Sequence, residues 1–208
     1  MNLTKIRLDD RKPGVRQCLR DCHDMHRTVM NAFGEIDADQ PRASEEVLYR
    51  LIPSPQGGVM YLTSKKVPEA GNLDRYGFRV EGVRNIDMLK SIFVPGSRWK
   101  FDLMAVPSKK IRAEGKNSRR AYLTAPDERR NWLERKGEQN GFRILYLEER
   151  GEQKTSGRRG NAKIIFTSMQ FGGILEVTDP EKFWSGYCEG IGPERAYGMG
   201  MLMLAGQS

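Results

Sequence analysis

The sequence is poor in cysteine and histidine and has no long apolar run. Its three cysteines, Cys18, Cys22 and Cys188, are odd in number and lack the spacing of a disulfide framework, which predicts reduced thiols filling core positions. The opening MNLTKIRLDD contains no apolar h-region, and no later segment approaches the ~20 apolar residues needed to span a bilayer. A cytoplasmic protein without a membrane partner is therefore expected. The chain has no Gly-x-Ser-x-Gly elbow and no acidic cluster spaced to hold Mg²⁺ with substrate phosphates. Whatever chemistry occurs is expected to use His, Tyr, Lys or Arg, with neither metal nor cofactor.

What remains is a foldable and basic chain. Its 208 residues, 38% hydrophobic and 30% charged, suit one ordinary domain or two small ones. Lys and Arg number 35 against 27 Asp and Glu, and the net charge of +8 favours a polyanionic partner such as nucleic acid or an anionic surface.

Both histidines, His23 and His26, fall in the periodic stretch 15–33, which predicts one helix. At about 100° per residue, Val15, Cys18, Leu19, Cys22, Met25, Val29, Met30 and Phe33 share a broad face, with Arg16, Arg20, Asp24, Arg27 and Asn31 opposite. His26 lies near the middle of the apolar face and His23 on its shoulder. Such a histidine is either a hydrogen-bonded core residue or a group at the edge of a cleft. Zinc is disfavoured, because Cys18 and His26 lie roughly 12 Å apart along a helix axis, whereas zinc ligands sit about 2 Å from the metal.

In chain order, residues 2–8 read as a strand, 47–52 and 59–63 as a hairpin with a longer loop, and 68–93 stay unresolved between strand and short helix. Val94-Pro95-Gly96 marks the boundary of a second half. There, 98–106 reads as a strand and 107–120 as a basic loop. Thr124-x-x-Asp127 resembles a capping box opening a helix that Gly137 ends. Residues 142–147 read as a strand, 152–161 as a basic hairpin tip, and 163–167 with 173–177 as a long returning strand, either whole or broken. Asp179 caps a helix with Pro180 in its first turn, and 197–204 closes the chain as a strand. The second half thus spells β-α-β-β-α-β, the order of a ferredoxin-like domain, and the first half begins the same way. The expected fold class is α+β, with two tandem ferredoxin-like domains over 1–93 and 97–208.

Two further runs bear on function. The stretch 190–200 contains two Gly-x-Gly pairs, but it follows a helix, leads into a strand, and has Arg195 where a dinucleotide fingerprint needs glycine. Its glycines either permit a tight passage or expose backbone amides which, with Arg195, meet RNA or phosphate. The basic tip carrying Lys154, Arg158, Arg159 and Lys163 is either a solvated loop or a ribbon that tracks phosphates.

The chain resembles the CRISPR-associated CasE family, endoribonucleases that cut the repeat hairpins of precursor CRISPR RNA. The likeness rests on His23-Asp24-Met25-His26-Arg27 with Ala32 and Phe33, on Val106-Pro107 and Trp132-Leu133, on Phe171-Gly172-Gly173-Ile174-Leu175-Glu176-Val177, and on the closing glycine loop from Gly190 through Tyr197 to Leu202. The resemblance implies tandem ferredoxin-like domains and a metal-independent cut by a ribose 2′-hydroxyl, leaving a 2′,3′-cyclic phosphate and a 5′-hydroxyl. It puts the active-site histidine at His26. Three residues earlier, where some members carry tyrosine, stands His23 as a second catalytic candidate. Arg27, Lys154, Arg158, Arg159, Lys163 and Arg195 are the implied RNA contacts. The implied partners are the CRISPR repeat hairpin, in precursor and mature CRISPR RNA, and the subunits of the surveillance complex Cascade. Rival readings are a subunit of that complex that holds the hairpin without cutting it, and a basic structural protein with a core histidine.

Overall fold

The computed structural model describes residues 1–36, 39–55, 57–113 and 116–206, without the side chains of 112, 113 and 116–119. The first half builds β1 (Asn2–Asp9), α1 (Pro13–Arg20), α2 (Cys22–Asn31), α3 (Pro41–Ser44), β2 (Leu48–Ser54), β3 (Gly57–Ser64), α4 (Ala70–Asp74) and β4 (Phe78–Asn85). Its sheet is antiparallel in the order β2-β3-β1-β4. Alternation along β1 turns Thr4, Ile6 and Leu8 inward, where Ile6 and Leu8 pack with Val15, Met25, Val29 and Phe78. The ferredoxin-like order that blurred over 68–93 is completed by α4, five residues long, and by β4. An element of little more than one turn is too short to print a helical period.

After a 3-10 turn at Asp87–Ser91, the second half builds β5 (Arg98–Ala105), β6 (Ser108–Ala113), β7 (Lys116–Tyr122), α5 (Pro126–Gln139), β8 (Phe142–Arg159), β9 (Ala162–Val177), α6 (Pro180–Glu189) and β10 (Leu202–Gly206). The sheet order β10-β5-β9-β8 repeats the ferredoxin-like arrangement, with Phe101, Leu103, Leu133, Phe142, Phe171 and Phe183 in its core. Fully burying one such side chain contributes about 1.5–3 kcal/mol. Among the described residues, no helix is long and apolar enough to cross a membrane.

Several sequence expectations change. The single helix over 15–33 is two, broken at Asp21, whose backbone is extended (φ −131°, ψ 113°). The basic stretch 107–120 is not a loop but holds the hairpin β6-β7, whose polar residues on both faces hide the strand period. The capping box at Thr124 does not form: Ala125 is the N-cap, without a side-chain hydrogen bond. Gly137 lies inside α5, which runs on to Gln139, and a Cβ there would meet the Phe142 carbonyl at 2.6 Å. The closing strand starts at Leu202, because Arg195–Tyr197 form a 3-10 turn.

The element that most affects the site is the β8-β9 hairpin. Register shifts between Ile144 and Tyr146 and between Glu149 and Gly151 bend β8 while pairing continues to Arg159–Ala162. Pairing of β9 with β5 stops at Met169–Ala105, so the hairpin beyond it leaves the sheet as a free two-stranded arm. The returning strand expected over 163–167 and 173–177 is the single strand β9, whose first part lies in the arm and whose part from Met169 on lies in the sheet.

Candidate active site

The helix break at Asp21 sets the geometry. Its Oδ1 accepts the backbone N–H groups of His23 at 2.8 Å and Asp24 at 3.2 Å, capping α2. Helix phase restarts there, so Cys22, Met25, Thr28 and Val29 form the buried stripe and His26 lies half-buried at its edge. This corrects the expectation that His26 occupies the middle of an apolar face, and it corrects Leu19, which is exposed.

The His23 and His26 rings are 6.2 Å apart between centroids. Tyr197 presents its ring edge-on to His26 at 6.0 Å and stacks on Phe166 at 6.1 Å. The second half therefore forms one wall of the histidine site. Burial is the largest cause holding His26 below the ordinary histidine range. His23, Arg42 and Arg159 push the same way, and the nearby backbone of Ala196 opposes them. Tyr49, buried in β2, donates to the Ala196 carbonyl at 3.3 Å, fixing this turn against the first half. Tyr197 is raised above the ordinary tyrosine range, chiefly by burial, so its phenol stays protonated at neutral pH. The Nδ1 atom of His23 is buried and has no hydrogen-bond partner among the described residues.

The hairpin arm reaches this place through Asp21. Asp21 Oδ2 accepts the Arg158 N–H at 3.0 Å. Gly157 permits the approach: a Cβ there would lie 2.6 Å from Asp21 Oδ1 and 2.7 Å from Cys22 Sγ. The adjacent Arg159 lies close enough for its charge to act on both His26 and Tyr197. Lys163 is exposed and pairs in register with Arg158.

The remaining sequence candidates scatter. Lys154 lines a separate cleft of about 250 Å³ with Cys22, Tyr49 and Tyr197. Arg27 is exposed, lies 3.7 Å from Asp24, and borders a groove with Asn31 and Tyr76, a groove that does not include His26. Arg195 donates to the Glu189 carbonyl at 3.0 Å. The glycine run around it supports the packing reading: Gly198, at φ 81°, is a position where a Cβ would stand 2.7 Å from the Tyr49 ring. Among the described residues, no three His, Cys, Asp or Glu side chains gather as metal ligands would.

Sequence reasoning missed Asp21, Arg42, Phe166 and Tyr197 as parts of this site. Asp21 carried a signal, an N-cap residue directly before Cys22-His23-Asp24. Tyr197 sat within a run read for its glycines, and Arg42 and Phe166 gave none.

A family model described as CRISPR associated protein matches residues 1–206. The CRISPR-associated endoribonuclease Cse3 of Thermus thermophilus is 31% identical over 224 residues, spanning 99% of this chain and 100% of that protein. A structure of Cse3 bound to 19 nt RNA is similar with a TM-score of 0.84 at 30% identity, covering 99% of this chain and 100% of the other. Thermus thermophilus Cse3 bound to an RNA representing a pre-cleavage complex gives 0.85 at 30% identity, covering 98% of each. Cas6e from Escherichia coli K-12, 21% identical with both chains fully covered, shares the fold at a TM-score of 0.75.

Proposed function

The chain belongs to the CRISPR-associated CasE (Cse3) family, and from that premise we propose that it is the endoribonuclease that cuts repeat stem-loops in precursor CRISPR RNA. The reaction needs no metal. The ribose 2′-oxygen bonds to the adjacent phosphorus, the bond from phosphorus to the 5′-oxygen breaks, and the products carry a 2′,3′-cyclic phosphate and a 5′-hydroxyl.

His26 takes the proton of the 2′-hydroxyl. The observation that carries this role is its half-buried ring beside cations and edge-on to Tyr197, which keeps the imidazole neutral near pH 7 and free to accept a proton. His23, 6.2 Å away, returns a proton to the leaving 5′-oxygen. The Arg159 guanidinium meets the extra charge on phosphorus as it forms. Exposed Lys154, Arg158 and Lys163 bind the duplex backbone along the hairpin arm, and Arg27 and Arg195 add contacts outside it.

The two ferredoxin-like domains, 1–93 and 97–208, divide the work: the first supplies the histidines and the second the basic arm. The cut RNA stays bound, and the protein serves as the hairpin-holding subunit of Cascade in the cytoplasm, where Cys18, Cys22 and Cys188 remain reduced.

The deciding assay uses wild type and His26→Ala with chelator present, on a cognate repeat hairpin and on one whose reacting ribose is 2′-deoxy. The expected result is cutting of the ribose substrate by wild type alone, with His26→Ala still binding. Binding without cutting by both proteins would instead make the chain a hairpin holder, and activity lost to chelator would overturn the metal-free mechanism.

A further inference from the structure

Beside His26 lies a feature that the proposed chemistry does not use. A cleft of about 320 Å³ is lined by His26, Met30, Gln40, Pro41, Arg42 and Ala43. Arg42 is half-buried there on α3, and its Nη1 donates to the Val47 carbonyl at 3.0 Å. From the second half, Arg195 approaches the same end of β2. Its Nη1 donates to the Glu189 carbonyl at 3.0 Å, and its stem lies against Gly190 beside Leu48. Burial is the largest cause holding Arg42 below the ordinary arginine range, and the charge of Arg195 pushes the same way.

Among the described residues, neither arginine forms an ion pair with a carboxylate. The acids at the foot of β2 are engaged elsewhere, Glu45 with Lys66 at 3.4 Å and Glu46 with Lys65 at 2.9 Å. Each arginine spends one donor on a backbone carbonyl and keeps its remaining N–H groups. A half-buried cation beside a second cation is costly unless an anion joins them. Two forks anchored to backbone suit the tetrahedral oxygens of a phosphate better than point charges would.

We propose that Arg42 and Arg195 form a two-armed anion site, built across the seam between the halves, that holds one phosphate group beside His26. In the substrate this is a single phosphodiester of the strand entering the cut, an assignment that rests on the functional reading above. The site is distinct from the basic arm. It fixes where the strand passes the histidines, whereas the arm grips the duplex.

Two measurements test it. Inorganic phosphate titrated into the full-length protein should shift the Arg42 and Arg195 side-chain NMR signals and leave those of Arg98 unmoved. Binding of a repeat hairpin with a 2′-deoxy reacting ribose is then measured against salt for wild type, Arg42→Gln and Arg42→Lys. Loss of one phosphate contact should weaken binding by the Gln variant by about tenfold and flatten its log K against log salt slope by about 0.7–0.9. The Lys variant, which keeps the charge without the fork, should retain the wild-type slope. It also controls for folding, since both variants lose the guanidinium bond to Val47. An unchanged slope in Arg42→Gln, or a phosphate titration that moves neither arginine, overturns the site. A wild type that shows the phosphate shifts but no preference for the hairpin overturns the functional reading alone.

Discussion

Asp21 Oδ2 accepts the backbone N–H of Arg158 at 3.0 Å across 137 residues of sequence, while its Oδ1 caps the helix bearing His23 and His26. One carboxylate thus sets both the start of the histidine helix and the resting place of the basic arm. The two duties are separable. Asp21→Ala removes both, and losing the cap alone costs about 0.5–2 kcal/mol. Asp21→Ser can still cap α2 but is too short to hold Arg158 as well. Thermal melting should drop for Ala and largely recover for Ser, while single-turnover cutting stays depressed in both. Equal cutting by Ser and wild type would show that the Arg158 contact does not place the arm.

Gly157 provides a second handle on the same contact. An added Cβ would press on Asp21, on the Cys22 thiol and, at 3.0 Å, on the Cys22 backbone nitrogen. Backbone cannot yield as a flexible side chain does, so Gly157→Ala should lift the arm and slow cutting by at least tenfold. Gly82→Ala, where nothing lies within 4 Å, should leave the rate within about twofold. Matching rates for the two variants would remove the close approach from the account.

The break at Asp21 also shows what the sequence could and could not reveal. The helix α6 was legible in full, since Asp179 accepts from Lys182 N–H and Pro180 opens the first turn, as the residue types demand. The second sheet was legible from strand order, the first only as far as β3. Asp21 offered only its residue type as an N-cap signal, because the apolar spacing of Val15, Cys18, Cys22 and Met25 runs through the break. Its second oxygen meets the backbone N–H of Arg158 far along the chain, a contact no local pattern records. Tyr197 was hidden because packing between the halves brings it to His26, and Arg42 because α3, four residues long, is too short to show a helical period.

The pH behaviour of His26 follows from its surroundings. Its folded pKa lies below the ordinary value of about 6.5, so the neutral ring is populated at neutral pH and is lost as pH falls through the folded value. A base role therefore gives a rate, measured as kcat/KM, that declines on the acid side below about 6.5. Folding stability moves in the same direction, because the unfolded chain binds this proton more readily. Arg159→Gln removes one repelling charge and should move the His26 NMR titration upward toward the ordinary value. A wild-type midpoint above 6.5, or no movement in Arg159→Gln, would contradict the arrangement.

Away from the chemistry, the halves are tied by an ion pair between strands of different sheets. Arg50 on β2 is buried and donates to Asp102 of β5 at 3.1 Å. Burial lowers the Arg50 pKa and Asp102 opposes it, which marks a charge dependent on its partner. Asp102 is less buried and also accepts from Gln170 and Arg150, so it tolerates losing Arg50 better than Arg50 tolerates losing it. Asp102→Ala should then destabilise the protein by about 3 kcal/mol, the range for stripping one partner from a buried pair. Adding Arg50→Met to that variant should restore much of the loss, since the stranded charge is gone and the apolar stem volume is kept. Urea unfolding of the wild type, both single variants and the double variant measures the coupling directly. Additive losses would mean that the seam is held by apolar packing, with the ion pair contributing nothing of its own.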